Sequence, residues 1–91
     1  MSEMVLAVGM ENCTIRYFKT SGELLCEENQ NKKTPVYGVV AKKYIDDKEE
    51  ESADAGFISE DAAYVDNLIA LLGKHTVTPV VLCEVLDEML S

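Results

Sequence analysis

A chain of 91 residues with 47% hydrophobic side chains and a net charge of −9 is sized for one domain, residues 1–91, since compact domains run from about 50 to 250 residues. Its charge is uneven, +1 over residues 1–45 and −10 over residues 46–91, which works against nucleic acid and anionic lipid, because both are held through Lys and Arg. Cys13, Cys26 and Cys83 are widely spaced, with no secretory signal and no apolar run of membrane length, so a reducing, cytoplasmic location is expected.

In chain order, Met4–Met10 is apolar, Glu11-Asn12 interrupts, and Cys13–Lys19 alternates, with Ile15 and Tyr17 on one side and Thr14 and Arg16 on the other. This predicts two strands around a tight turn. Thr20-Ser21-Gly22 reads as the next turn, Leu24–Glu28 as a third strand, and Asn29–Pro35 as a polar loop. Val36–Ile45 is the strongest strand, with Tyr37, Val39, Ala41 and Ile45 sharing a face that Lys43 interrupts; Gly38 inside it signals a bulge or a close backbone approach. Asp46–Asp54, with six acidic residues and one lysine, reads as a solvated hairpin loop, and Ala55–Ile58 as a short returning strand.

Two helices follow. Ser59 is the expected N-cap of the first, over about residues 60–73, with Glu60 and Asp61 near its positive end and Val65, Leu68, Ile69 and Leu72 as its apolar stripe. Gly73 would end it, and Lys74 and His75 would follow where positive charge is favoured. Thr78 and Pro79 then read as the cap and first position of a helix over about residues 79–90. Strands followed by helices predict an α+β fold: an antiparallel sheet of four to five short strands over about residues 4–58, with both helices packed on one face.

No catalytic, cofactor or metal site is expected. His75 is the only histidine, and a position beyond a helix C-terminus already accounts for it. The cysteines lack a C-x-x-C pair, the acidic run lacks the ligand spacing and central glycine of a calcium loop, and the glycines are scattered singly, away from any phosphate-loop pattern. Lys32-Lys33 and Lys42-Lys43, near Tyr37 and Tyr44, read as protection of a sheet edge in preference to a nucleic-acid surface.

The last helix is too apolar for one buried face. Leu82, Val85, Leu86 and Met89 form a stripe to cover the sheet and the first helix, while Val80, Val81, Cys83 and Leu90 widen it and Glu84, Asp87 and Glu88 supply a charged rim. The excess predicts contact with a protein partner or with a second copy in a homodimer, and so a non-enzymatic interaction or regulatory module. Two alternatives stand beside it: a domain binding a small ligand or ion in a pocket lined by Tyr17, Tyr37 and Tyr44, and an enzyme pairing a cysteine with His75, which the spacing does not call for.

Val36-Tyr37-Gly38-Val39, Phe57-Ile58-Ser59-Glu60-Asp61, the stripe Val65, Leu68 and Leu72, and Val77-Thr78-Pro79-Val80 through Leu82, Val85 and Leu90 together resemble a family of small proteins, a domain of unknown function found mainly in clostridia and related Gram-positive anaerobes. The resemblance covers the C-terminal two-thirds of the chain, with residues 1–35 matching loosely. It implies the α+β fold and a bacterial cytoplasmic origin, and brings no activity with it. Where members of that family tend to carry a histidine shortly after the proline, this chain has Val81.

Overall fold

The structure is a computed structural model that describes residues 2–26 and 32–90. Strands β1 (Ser2–Gly9), β2 (Thr14–Cys26), β3 (Lys32–Ile45) and β4 (Lys48–Ser59) precede helix α1 (Ala62–Lys74), a 3-10 turn over Pro79–Val81, and helix α2 (Leu82–Leu90). The strands form one antiparallel sheet in the order β1-β2-β3-β4. This is the α+β fold that the order of elements predicts, in longer strands than expected.

The lengthening has physical causes. Thr20-Ser21-Gly22 lies within β2, paired with Gly38, Tyr37 and Val36. Gly22 is there because the Phe57 ring fills the space where a Cβ would sit, 2.7 Å from its nearest ring atom, and not because the chain turns. Leu24–Cys26, expected to begin a third strand, continues β2, and Lys32–Pro35 of the expected loop belongs to β3, while Glu27 and Glu28 of the expected strand and Asn29–Asn31 of the expected loop lie outside the described residues. Pro35 pairs with Glu23 inside β3; β4 begins to pair with β3 only at Tyr37, so a missing N–H on that side breaks no ladder.

The acidic run is also a strand. Only Asp46 and Asp47 form the turn, with φ of 53° and 64°, the left-handed pair that a two-residue hairpin requires. From Lys48 the chain pairs with β3, setting Glu51 opposite Lys43, and Lys42 Nζ lies 3.3 Å from Glu49 Oε1. The basic pair and the acidic run therefore answer one another across a hairpin, and the remaining carboxylates guard an edge strand against further pairing.

One face of the sheet is covered. Ile15, Tyr17, Val39 and Ala41 meet Val65, Leu68, Ile69 and Leu72 of α1, Val77 of the connection, and Leu82 and Leu86 of α2. Each fully buried aliphatic side chain in this set contributes about 1.5–3 kcal/mol relative to exposure. Gly73 lies one residue before the end of α1, close to the expected stop, and a Cβ there would collide with Leu6 of β1, so the missing side chain also lets the helix approach the strand. The first N-cap also moves. Asp61, not Ser59, accepts from the amides of Ala63 and Tyr64 at 3.0 and 3.4 Å, and Ser59 Oγ accepts from the Asp61 amide at 3.0 Å. Ser59 still belongs to β4, so the capping role passes to the next oxygen-bearing side chain at the helix mouth.

Among the described residues, no helix is long and apolar enough to cross a membrane.

Candidate functional site

The region between the helices begins with the way α1 stops. The Thr76 amide donates to Gly73 O at 3.1 Å and the Val77 amide to Leu72 O at 3.0 Å, the paired bonds of a Schellman C-terminus. That geometry needs a left-handed residue, and here it is Thr76, with φ of 49°. The reversal delivers Val77 into the core, where the Tyr17 hydroxyl donates to Val77 O at 2.6 Å and also lies 3.3 Å from Leu72 O. Tyr17 is completely buried, and its burial pushes the phenol up from 10.0 to about 12.

After this pinned turn the chain restarts at Pro79. The Val81 amide donates to Thr78 O at 3.2 Å, closing a single 3-10 turn that leads straight into α2 at Leu82; the helical segment therefore starts at Pro79 as expected, with Thr78 at the cap position but making no side-chain cap bond. Leu82 and Leu86 face the core. α2 packs chiefly against β4 and the preceding turn and only slightly against α1, so it is not wedged between the sheet and α1 as expected.

A groove of about 520 Å³ opens between the two helices. Leu71, His75 and Thr76 form one wall, Val77 and Thr78 the floor, and Val81, Val85 and Met89 the other wall. Val81, Val85 and Met89 are spaced four apart, which stacks them along one flank of α2. By the same periodicity, Glu84 and Glu88 border that flank on the solvent side, while Cys83, Asp87 and Leu90 lie on the opposite flank. The seven residues expected to make contact are thus divided. Val81 lines the groove, Glu84 and Glu88 rim it, Cys83, Asp87 and Leu90 are exposed on the other side, and Val80 projects from the 3-10 turn at 70% exposure.

Two side chains expected inside the fold sit at this groove instead: Val85 is half-buried and Met89 exposed. Leu71 is the main residue that sequence reasoning missed. It falls just off the α1 stripe, and the adjacent leucines Leu71-Leu72 were the available signal, because a helix cannot turn both toward one core. Tyr64, seven residues earlier and exposed, continues the same flank of α1.

The other candidate constellations do not assemble. Tyr17 is in the core, Tyr37 packs against the helix-covered side, and Tyr44 lies on the open side of the sheet, so the three line no common pocket. On that open side the Arg16 guanidinium sits 4.3 Å from the Tyr44 ring centroid and Lys42 Nζ 5.5 Å from that of Phe18, so these aromatic faces already have cations over them. Neither Cys13 nor Cys83 lines the groove beside His75, and the Cys26 side chain and the Lys32-Lys33 pair lie outside the described side chains. Among the described residues no three His, Cys, Asp or Glu side chains cluster with metal-binding geometry.

The chain belongs to the Family of unknown function (DUF6514), whose model matches residues 1–91. No curated protein and no solved structure matches it.

Proposed function

We propose that the protein is a non-enzymatic cytoplasmic module that acts by holding another protein in the groove between α1 and α2. One observation carries this reading: Leu71 on one helix and Val81, Val85 and Met89 on the other leave an aliphatic groove of about 520 Å³ open to solvent. Apolar surface gathered in a concavity and rimmed by polar residues marks interaction sites on small domains. The cysteines support the cytoplasmic part, since Cys13 and Cys83 are both free thiols. An origin in clostridia or related Gram-positive bacteria belongs to the same proposal, on the motifs described above.

A photo-crosslinking residue placed at Met89, and separately at Ser52 on the open face of the sheet, tests the reading in cells of the source organism. The expected result is a discrete adduct from position 89 and none from position 52. Equal labelling at both, or none at either, would refute protein binding at this groove.

The groove volume also falls in the range of small-molecule sites, about 300–1,000 Å³, and this supports a second reading as a regulatory domain for a small apolar ligand. A rise in melting temperature with an aliphatic ligand, abolished by Val85→Glu, is its expected signature.

A further inference from the structure

We infer that the groove accepts a basic amphipathic helix from a different protein, and not a second copy of this chain; the inference rests on the groove being a protein-docking site. Shape supplies the first half of the argument. Val81 at the end of the 3-10 turn and Val85 and Met89 on α2 form a line about 12 Å long at the helical rise of about 1.5 Å per residue, facing Leu71 across a floor made by Val77. A trough of this length between two helices is matched by a third helix offering apolar residues at i, i+3 or i+4, and i+7. The lining is mostly apolar, with His75, Thr76 and Thr78 among the aliphatic side chains and one flexible thioether at Met89, which adapts to different apolar knobs.

Charge supplies the second half. From Thr76 to Leu90 the chain carries Glu84, Asp87 and Glu88 and no lysine or arginine. Glu84 and Glu88 lie beside the Val81–Val85–Met89 line, and all three carboxylate residues are exposed. A two-fold contact between copies uses the same patch on both sides, so each α2 would set its three carboxylates against the same three, and the end of α1 brings one lysine, Lys74, beside His75 to offset them. The chain as a whole, at −9, adds long-range repulsion to that local conflict. A helix whose apolar stripe is flanked by Lys or Arg turns the same rim into attraction, which speeds encounter and sets orientation.

The test uses the full chain and three fluorescent synthetic peptides of about 14 residues, long enough to cover the groove at helical rise. One is an amphipathic Leu/Lys helix, one has the same composition with its leucines scattered, and one has the amphipathic pattern built from Leu and Glu. Anisotropy titrations are expected to show the amphipathic Leu/Lys peptide binding at least about tenfold tighter than the scattered one, a difference of about 1.4 kcal/mol, with no binding of the Leu/Glu peptide. Val81→Glu and Met89→Glu, each confirmed folded by circular dichroism, should each weaken that binding by about tenfold or more, and the double change Glu84→Lys with Glu88→Lys should move the preference to the Leu/Glu peptide.

Equal affinity for the scattered peptide would reduce the effect to bulk charge and overturn the inference. So would a mass that doubles with concentration and is split by Val81→Glu, because a second copy would then be the occupant. If the peptides fail while Met89 still crosslinks to a discrete partner, the partner class is wrong and the docking site stands; if both fail, the docking site falls too.

Discussion

Tyr17→Phe isolates the bond that holds the turn between the helices. The substitution removes one oxygen and leaves the ring in place, so Val77 O, which accepts from the hydroxyl at 2.6 Å inside the core, loses its donor. A buried carbonyl deprived of its partner costs about 1–3 kcal/mol. For a domain of this size that corresponds to a fall in melting temperature of about 4–8 °C per kcal/mol, read by calorimetry or by urea titration followed by circular dichroism. The pH dependence gives a second, independent reading. Tyr17 holds its proton up to about 12 in the folded chain against 10.0 when solvated. A raised pKa means that the stabilisation is complete below pH 10 and is lost as the pH rises from about 10 toward about 12, since the unfolded chain releases the proton first. Two pH units correspond to at most about 2.7 kcal/mol, so the advantage of the native chain over Tyr17→Phe should shrink steadily across that interval. A variant as stable as the native chain at pH 8, or a difference that stays constant from pH 9 to 12, would refute the assignment of this hydroxyl as a structural donor.

The other expectations concern the backbone that frames the site. Thr76→Gly should stabilise the fold by about 1 kcal/mol, because a β-branched residue held at φ 49° gives way to the residue suited to that conformation; urea midpoints would show it, and a loss of stability would mean that the Thr76 side chain contributes more than its backbone costs. Gly38→Ala should cost about 1–3 kcal/mol or more by driving a Cβ into the backbone carbonyl of Gly56, whereas Gly9→Ala, with open space around it, should stay within about 0.5 kcal/mol. Asp61→Ala should lower stability by about 0.5–2 kcal/mol through loss of the bonds to Ala63 and Tyr64. Ser59→Ala serves as its comparison: the smaller loss expected there, in thermal melts of both, would place the cap at Asp61.

The features read correctly from the sequence are those encoded by neighbours in the chain. The alternation of Ile15 and Tyr17, the stripe through Val65, Leu68, Ile69 and Leu72, and the glycine that interrupts Val36–Ile45 each report a local periodicity or a local steric demand. Gly38 was expected to mark a bulge or a close approach and marks both, since the β3–β4 register shifts beside it and Gly56 O occupies the space of its absent Cβ. The misread features depend on partners distant in sequence. Gly22 resembles a turn residue until Phe57 is laid over it. Asp46–Asp54 resembles a loop until Lys42 and Lys43 are set opposite its carboxylates. Gly73 stands close to the helix end it resembles, and its second role shows only once Leu6 is placed beneath it. In each case a residue chosen for a contact across the fold carries the composition of a local breaker.

The groove follows from the same division between local and distant effects. The excess of apolar residues in the last helix is a local property and is visible in the sequence. Its direction is not, because that depends on where α2 docks. Had α2 lain against α1, Val85 and Met89 would have filled the space between them and Leu71 would have been covered. The Schellman turn at Thr76 and the 3-10 turn at Pro79 instead carry the chain toward β4 before the helix begins. With only nine residues in α2, Leu82 and Leu86 suffice to anchor it to the sheet, and the flank toward α1 is left with Val85 half-buried and Val81 and Met89 exposed. The position of the groove is thus set by two turns, one of them held by the Tyr17 hydroxyl. Loosening that hydroxyl's bond should therefore weaken binding at Val81, Val85 and Met89 even though Tyr17 does not itself line the groove.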